Sequence, residues 1–354
     1  MLASHKPFLI AGPCGAESEE QMIQIAEALR DTSIQMIRAG IWKPRSRPGF
    51  FEGHGAVALS WMQKVKDVSG KLVCVEVANA KQVEKALDYG MDALWIGART
   101  TVNPFVVQEI CSALSGVDIP IMVKNPINPD VELWAGAIER FMLSGHKDLA
   151  AIHRGFSSYD PSSVYRNKPI WALPIELKRR FVNLPVFCDP SHIAGKRALV
   201  AEVAQRAMDL DFDGLMIETH PDPESAMSDV AQQLTPRALV DMLSNIYFRS
   251  KVDNSLTVIE NIRQVLDTMD AEIVSILSKR MEKVTELASI KEKYNMPIFQ
   301  QERWREIVES RTRWGAAQGL DEVFILKLFE LIHDKSIKTQ LDTLQNKSRT
   351  KTSE

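Results

Sequence analysis

The sequence predicts an α/β protein, a (β/α)8 barrel followed by an all-α domain, and three observations carry that reading. Eight short apolar runs of strand type stand before Arg249, most of them separated by helical patterns. Glycine and proline nearly stop there, since only Pro297, Gly315 and Gly319 follow. From Ile259 an apolar stripe then recurs at heptad spacing.

The eight runs are FLIAG (8–12), SIQMIRAG (33–40), LVCVEV (72–77), ALWIGA (93–98), PIMVKN (120–125), LAAIHRG (149–155), PVFCDP (185–190) and DGLMIET (213–219). Amphipathic patterns such as EEQMIQIAEALRD (19–31), KQVEKALDYG (81–90) and KRALVAEVAQRAMDL (196–210) lie between them; the tract after the sixth run has the faintest one. Alternating strand and helix implies parallel strands with right-handed crossovers, and eight such units fill a barrel. No GxGxxG follows the first run, which weakens the alternative of an open dinucleotide-binding sheet. Four segments follow: a barrel over 1–249, a polar linker over 250–257, a helical domain over 258–345 and a frayed end over 346–354.

The 354 residues carry a net charge of only −3, which points away from a nucleic-acid or membrane surface. The four cysteines, Cys14, Cys74, Cys111 and Cys188, form no CxxC pair, so neither a disulfide framework nor a zinc ribbon is indicated. No signal peptide or membrane-length apolar run is visible, and a cytoplasmic protein with reduced thiols is expected.

Barrel enzymes place their chemistry at the carboxyl ends of the strands. Here those ends carry Cys14, Arg38 and Lys43, Arg99, Lys124, Arg154, His192, Glu218 and His220. So many cations at one mouth repel unless anions fill it, which suggests phosphate and carboxylate recognition. Taken singly, Cys14 reads as a small buried hydrophobe, His192 as a strand-end hydrogen bonder and Asp229 as a helix cap. Closing run eight against run one would instead bring Cys14, His192, Glu218 and Asp229 together. That mixed soft and hard set suits Mn, Fe, Co or Zn better than Mg.

The segments GPCGAES (12–18), IRAGIWKPRS (37–46), IGART (96–100), VKN (123–125), HRG (153–155), DPSH (189–192) and GLMIETHPDPESAMSD (214–229) resemble the 3-deoxy-D-arabino-heptulosonate-7-phosphate (DAHP) synthase family of the shikimate pathway. The resemblance implies condensation of phosphoenolpyruvate with erythrose 4-phosphate. It implies Cys14, His192, Glu218 and Asp229 as metal ligands, and Arg38, Lys43, Arg99, Lys124 and Arg154 around phosphoenolpyruvate. Erythrose 4-phosphate would meet Lys43, Pro44, Arg45 and Ser46; where the family usually has Thr-Ser after KPR, this chain has Ser46-Arg47. Lys43 would also be the proton donor to the new alkoxide. The rival is the sibling synthase that uses arabinose 5-phosphate, which carries an Ala-Asn-Arg type segment in place of Pro44-Arg45. The sequence starts almost at the first strand, without the N-terminal regulatory extension of some family members.

In the tail, the stripe Ile259, Ile262, Leu266, Met269, Ile273, Ile276, Val284, Leu287 and Ile290 reads as a long helix, and alone would suggest a dimerising coiled coil. Arg280 interrupts it on an inward position, and a buried arginine needs a partner. With Arg263, Lys291, Arg303, Ser336 and Gln340 the tail resembles the all-helical chorismate mutase family, which turns chorismate into prephenate without a cofactor. The resemblance gives Lys291 and Gln340 to the ether oxygen and the arginines to the carboxylates. Gln300 and Trp304 stand where that family often has Asp and Glu. Arg263 and Arg280 are about 25 Å apart on one straight helix, so a shared pocket needs a second chain and the tail should form a homodimer. Prephenate is expected to inhibit the synthase from this pocket, through Arg280 and Arg303. The alternative is a tail that only dimerises and binds an inhibitor.

Overall fold

The protein is described from a computed structural model covering residues 1–3, 7–43, 49–158, 160–249 and 257–351, with backbone only for 257–258 and 346–351. Pro44, Arg45 and Ser46 and nearly all of the expected linker lie outside the described residues. The chain divides into two compact units, Met1–Ser250 and Lys251–Glu354.

In the first unit the strands are β1 (Phe8–Gly12), β2 (Met36–Ala39), β3 (Leu72–Val77), β4 (Ala93–Ile96), β5 (Ile121–Lys124), β6 (Leu149–His153), β7 (Val186–Cys188) and β8 (Gly214–Glu218). Each lies within one of the eight apolar runs. They are parallel and close into a barrel in sequence order, with β1 paired to β8. Around them run α1 (Glu19–Leu29), α2 (Val57–Ser69), α3 (Ala80–Asp88), α4 (Ala98–Thr101), α5 (Pro104–Ala113), α6 (Val131–Leu143), α7 (Ala172–Arg180), α8 (Pro190–Ala194), α9 (Arg197–Asp209) and α10 (Pro236–Ser244). Side chains start several of these helices: Ser18, Asn79, Asn103, Asp130 and Thr235 accept from first-turn N–H groups. The faint pattern after β6 becomes the short α7, reached through a long loop.

Strand alternation sorts the core into two layers. Phe8, Ile10, Met36, Trp95, Met122, Ile152, Phe187 and Met216 fill the barrel interior, and Leu9, Ile37, Val75, Leu94, Val123 and Leu215 face the helices. Gly12 is obligatory where β1 meets β2: its φ is 152°, and a Cβ there would overlap the Arg38 carbonyl oxygen.

The second unit is all helix: α11 (Thr257–Lys293), α12 (Gln301–Ala317) and α13 (Glu322–Lys351). The last helix runs to Lys351, across the start of the segment expected to fray. Among the described residues no helix is long and apolar enough to cross a membrane.

Candidate active sites

The β1–β8 register sets Gly12 opposite Glu218, so Cys14, two residues on, arrives beside that carboxylate. Sulfur and carboxylate oxygens of Cys14, Glu218 and Asp229 lie within 4.8 Å of one another. His192 Nε2 joins them, 3.8 Å from Glu218 Oε1 and 3.9 Å from Asp229 Oδ2. Cys14, Glu218 and Asp229 thus form one cluster, and His192 borders it on the side of the two acids. Asp229 caps no helix; it holds a left-handed φ of 52°, a strained backbone for a non-glycine residue.

His192 is aimed by Asp189, which sequence reasoning did not single out. Asp189 is the N-cap of α8: its Oδ1 accepts from His192 N–H, while Oδ2 lies 2.8 Å from His192 Nδ1. The ring thereby presents Nε2 to Glu218 and Asp229. Among the described residues Glu218 Oε1 is buried without a hydrogen-bond partner, although Arg38 Nη1 stands 3.3 Å away. A buried anionic oxygen left in that state is costly. Together with a soft and hard donor set, it fits a bound divalent transition metal. Burial, followed by the Glu218 carboxylate, pushes the Cys14 thiol up to about 12. Burial opposes ionisation of Glu218 and Asp229 too, yet the neighbouring His192 and arginines hold both below the usual carboxylate range.

The cations ring this cluster. Arg38 is buried, lies over the Trp95 ring at 4.9 Å, and among the described residues has no hydrogen-bond partner at Nε or Nη1. Lys124 Nζ is 2.8 Å from Asp189 Oδ2 and 5.8 Å above the same ring. Trp95 is therefore the floor of the mouth, fixed by its Nε1–H donating to Glu76. Lys43 Nζ donates to the Cys14 carbonyl at 2.7 Å and stands 2.6 Å from its sulfur. Arg154 Nη1 donates to Asn167 Oδ1. Burial, with Arg166 and Arg99 close by, lowers the Arg154 guanidinium to about 10. Cations crowded this closely favour an incoming anion. Arg99, on α4, is exposed.

In the helical unit Arg280 Nη1 donates to Ser336 Oγ at 2.6 Å. Gln340 is buried, its amide nitrogen donating to the Ser336 carbonyl and its Oε1 without a partner among the described residues. Lys291 is buried and donates to the Ile298 carbonyl. Burial lowers both the Lys291 ammonium and the Arg280 guanidinium, the latter also through Arg311. Arg303 is exposed and pairs with Glu306 one turn along its own helix. Arg263 is exposed, 3.8 Å from Glu260. Trp304 lies tilted by 38° against His333, with ring centroids 4.3 Å apart, beside a cavity of about 740 Å³ that also touches Phe299, Ile337 and Leu341.

Residues 3–248 match the DAHP synthetase I family, and residues 262–341 match Chorismate mutase type II. A phospho-2-dehydro-3-deoxyheptonate aldolase of Thermotoga maritima is 30% identical over 227 residues, and the chain spans 64% of that relative's length. A 2-dehydro-3-deoxyphosphooctonate aldolase of a Synechococcus strain is 25% identical over 264 residues, 69% of this chain and 90% of the other. Among solved structures, the Thermotoga maritima DAHP synthase superposes with a TM-score of 0.61 at 27% identity, over 68% of this chain and 67% of that one. A truncated form of the Thermotoga synthase gives 0.58 at 25% identity, over 67% and 84%.

Proposed function

The chain belongs to the DAHP synthetase I family and carries a chorismate mutase type II domain behind its barrel, and on that premise we propose that it condenses phosphoenolpyruvate with erythrose 4-phosphate and rearranges chorismate to prephenate. The observation that supports the first activity most is the cluster of Cys14, Glu218 and Asp229, bordered by His192, with the buried Arg38 and Lys124 close by.

A divalent metal such as Mn, Fe, Co or Zn, held by those four residues, would supply a Lewis acid for the aldehyde oxygen. Arg38, Lys43, Arg99, Lys124 and Arg154 hold the phosphate and carboxylate of phosphoenolpyruvate above Trp95. Pro44, Arg45 and Ser46 receive the sugar phosphate. The enol carbon bonds to the aldehyde carbon, Lys43 delivers the proton to the new alkoxide, water adds at C2, and phosphate leaves by C–O cleavage.

In the helical unit, Arg280, Arg303 and a second chain's Arg263 hold the two carboxylates of chorismate. Ser336 steadies Arg280, and Lys291 and Gln340 face the ether oxygen, where donors stabilise the charge that develops. A homodimer is supported by the stripe on α11: Ile262, Leu266, Met269, Ile273 and Ile276 are each more than half exposed, an apolar face that a second copy would cover. Prephenate bound in the mutase pocket lowers the synthase rate by favouring an inhibited state.

The test compares aldoses and inhibitor on one preparation. Condensation should prefer erythrose 4-phosphate to arabinose 5-phosphate; the reverse preference makes this the sibling synthase. Arg280→Ala should lose chorismate turnover and prephenate sensitivity together, while condensing at the uninhibited rate. Full sensitivity in that variant would move the inhibitor to another site, and a wild-type chain that leaves chorismate unchanged would reduce the tail to a dimerising module.

A further inference from the structure

Leu234 N–H donates to the Glu218 carbonyl at 3.0 Å, and His220 N–H donates back to the Leu234 carbonyl at 2.9 Å. These bonds bring the loop after β8 back along the end of its own strand. Gln232, two residues before Leu234 and 1% exposed, therefore lies against the Glu218 side chain. Its amide nitrogen donates to Glu218 Oε2 at 2.7 Å, and its amide oxygen accepts from Arg166 Nη1 at 2.7 Å. Only this orientation of the amide suits both neighbours, because a carboxylate only accepts and a guanidinium only donates. The same Arg166 nitrogen lies 2.8 Å from Asp229 Oδ1.

Each acid in the cluster therefore has one oxygen engaged and one released. Glu218 gives Oε2 to Gln232 and leaves Oε1 without a hydrogen bond. Asp229 gives Oδ1 to Arg166 and turns Oδ2 to Cys14 and His192. We propose that Gln232 and Arg166 are positioning residues, Gln232 holding Glu218 and Arg166 holding both Gln232 and Asp229, so that each acid meets the metal through one oxygen. This rests on the metal reading of the cluster and adds what sets its denticity. One sulfur, one nitrogen and two oxygens of the protein would then hold the ion. Without the bracket either carboxylate is free to turn and bind through both oxygens, and its preset geometry is lost. Partners behind metal ligands typically change affinity by about 10–100-fold when removed.

The test is a Co2+ titration of the metal-stripped full-length protein, followed by thiolate-to-metal absorption. Gln232→Met keeps the length of the side chain and removes both hydrogen bonds. It should bind Co2+ about tenfold or more weakly and shift the visible bands, in protein whose circular dichroism shows it to be folded in the metal-free state. Arg166→Met, at an exposed position, should give a smaller weakening with a shift in the same direction. If Gln232→Met does not fold, Arg166→Met decides alone. Wild-type affinity and an unchanged spectrum in the folded variants would overturn the bracket. A wild-type chain that takes up no Co2+ would overturn the metal reading itself, and this inference with it.

Discussion

Asp189 Oδ2 lies 2.8 Å from Lys124 Nζ and 2.8 Å from His192 Nδ1. One buried carboxylate thus ties a proposed substrate cation to a proposed metal ligand. Burial opposes its charge, yet His192 and Lys124 hold it well below the usual carboxylate range. Asp189→Asn keeps the shape and removes the charge. Metal affinity should fall by about 10–100-fold, and the KM for phosphoenolpyruvate should rise, because Lys124 loses its anchor. Metal titration and steady-state kinetics check both, and a change in neither would leave Asp189 as a helix cap only.

A second prediction concerns His153. Its ring points out of the barrel among Trp134, Phe156, Trp171 and Phe212, with centroids 5.2–6.3 Å away. Burial, then the Arg154 charge, lowers its pKa to about 3, against about 6.5 in an unfolded chain. The folded state keeps it neutral while the unfolded state takes up a proton. Its contribution is therefore complete above about pH 6.5 and is lost as pH falls toward 3, at up to about 1.4 kcal/mol per pH unit. Urea unfolding of the barrel between those limits should show that slope reduced by up to one proton in His153→Phe. An unchanged slope would mean that His153 is protonated in the folded barrel.

A third follows from α11. Arg263 and Arg280 sit on one continuous helix, about 25 Å apart, so neither can join the other at a small dicarboxylate. An Arg263→Ala chain mixed with an Arg280→Ala chain should recover mutase turnover. Half of the randomly paired dimers are mixed and each has one intact pocket, so recovery should reach about a quarter of wild type. No recovery despite measured subunit exchange would place the pocket within one chain.

What the sequence discloses follows from where the information lies. Strands buried on both faces are continuous apolar runs, so all eight are legible from ALWIGA and its counterparts, and closure of β8 on β1 follows from their number. The same property hides Trp95: in a run apolar on both faces, nothing marks which residue faces inward beneath the cations. Cys14, His192, Glu218 and Asp229 are legible because they stand at strand ends and after β8. Asp189 and Gln232 are not, since Asp189 looks like an ordinary cap before Pro190, and Gln232 becomes informative only when Leu234 pins its loop to Glu218. Arg303 marks a limit of another kind, as its guanidinium turns to Glu306.

The central claim is that one chain holds a metal-dependent condensing site and a separate mutase site that needs no metal. The most direct measurement follows both reactions on the same protein before and after removal of metal by EDTA, with Cys14→Ala in parallel. Condensation should be abolished by either treatment and return to the chelated wild type when Mn2+ or Co2+ is added, while chorismate turnover stays at its starting rate throughout. Full condensation activity in protein verified to be metal-free would contradict the account.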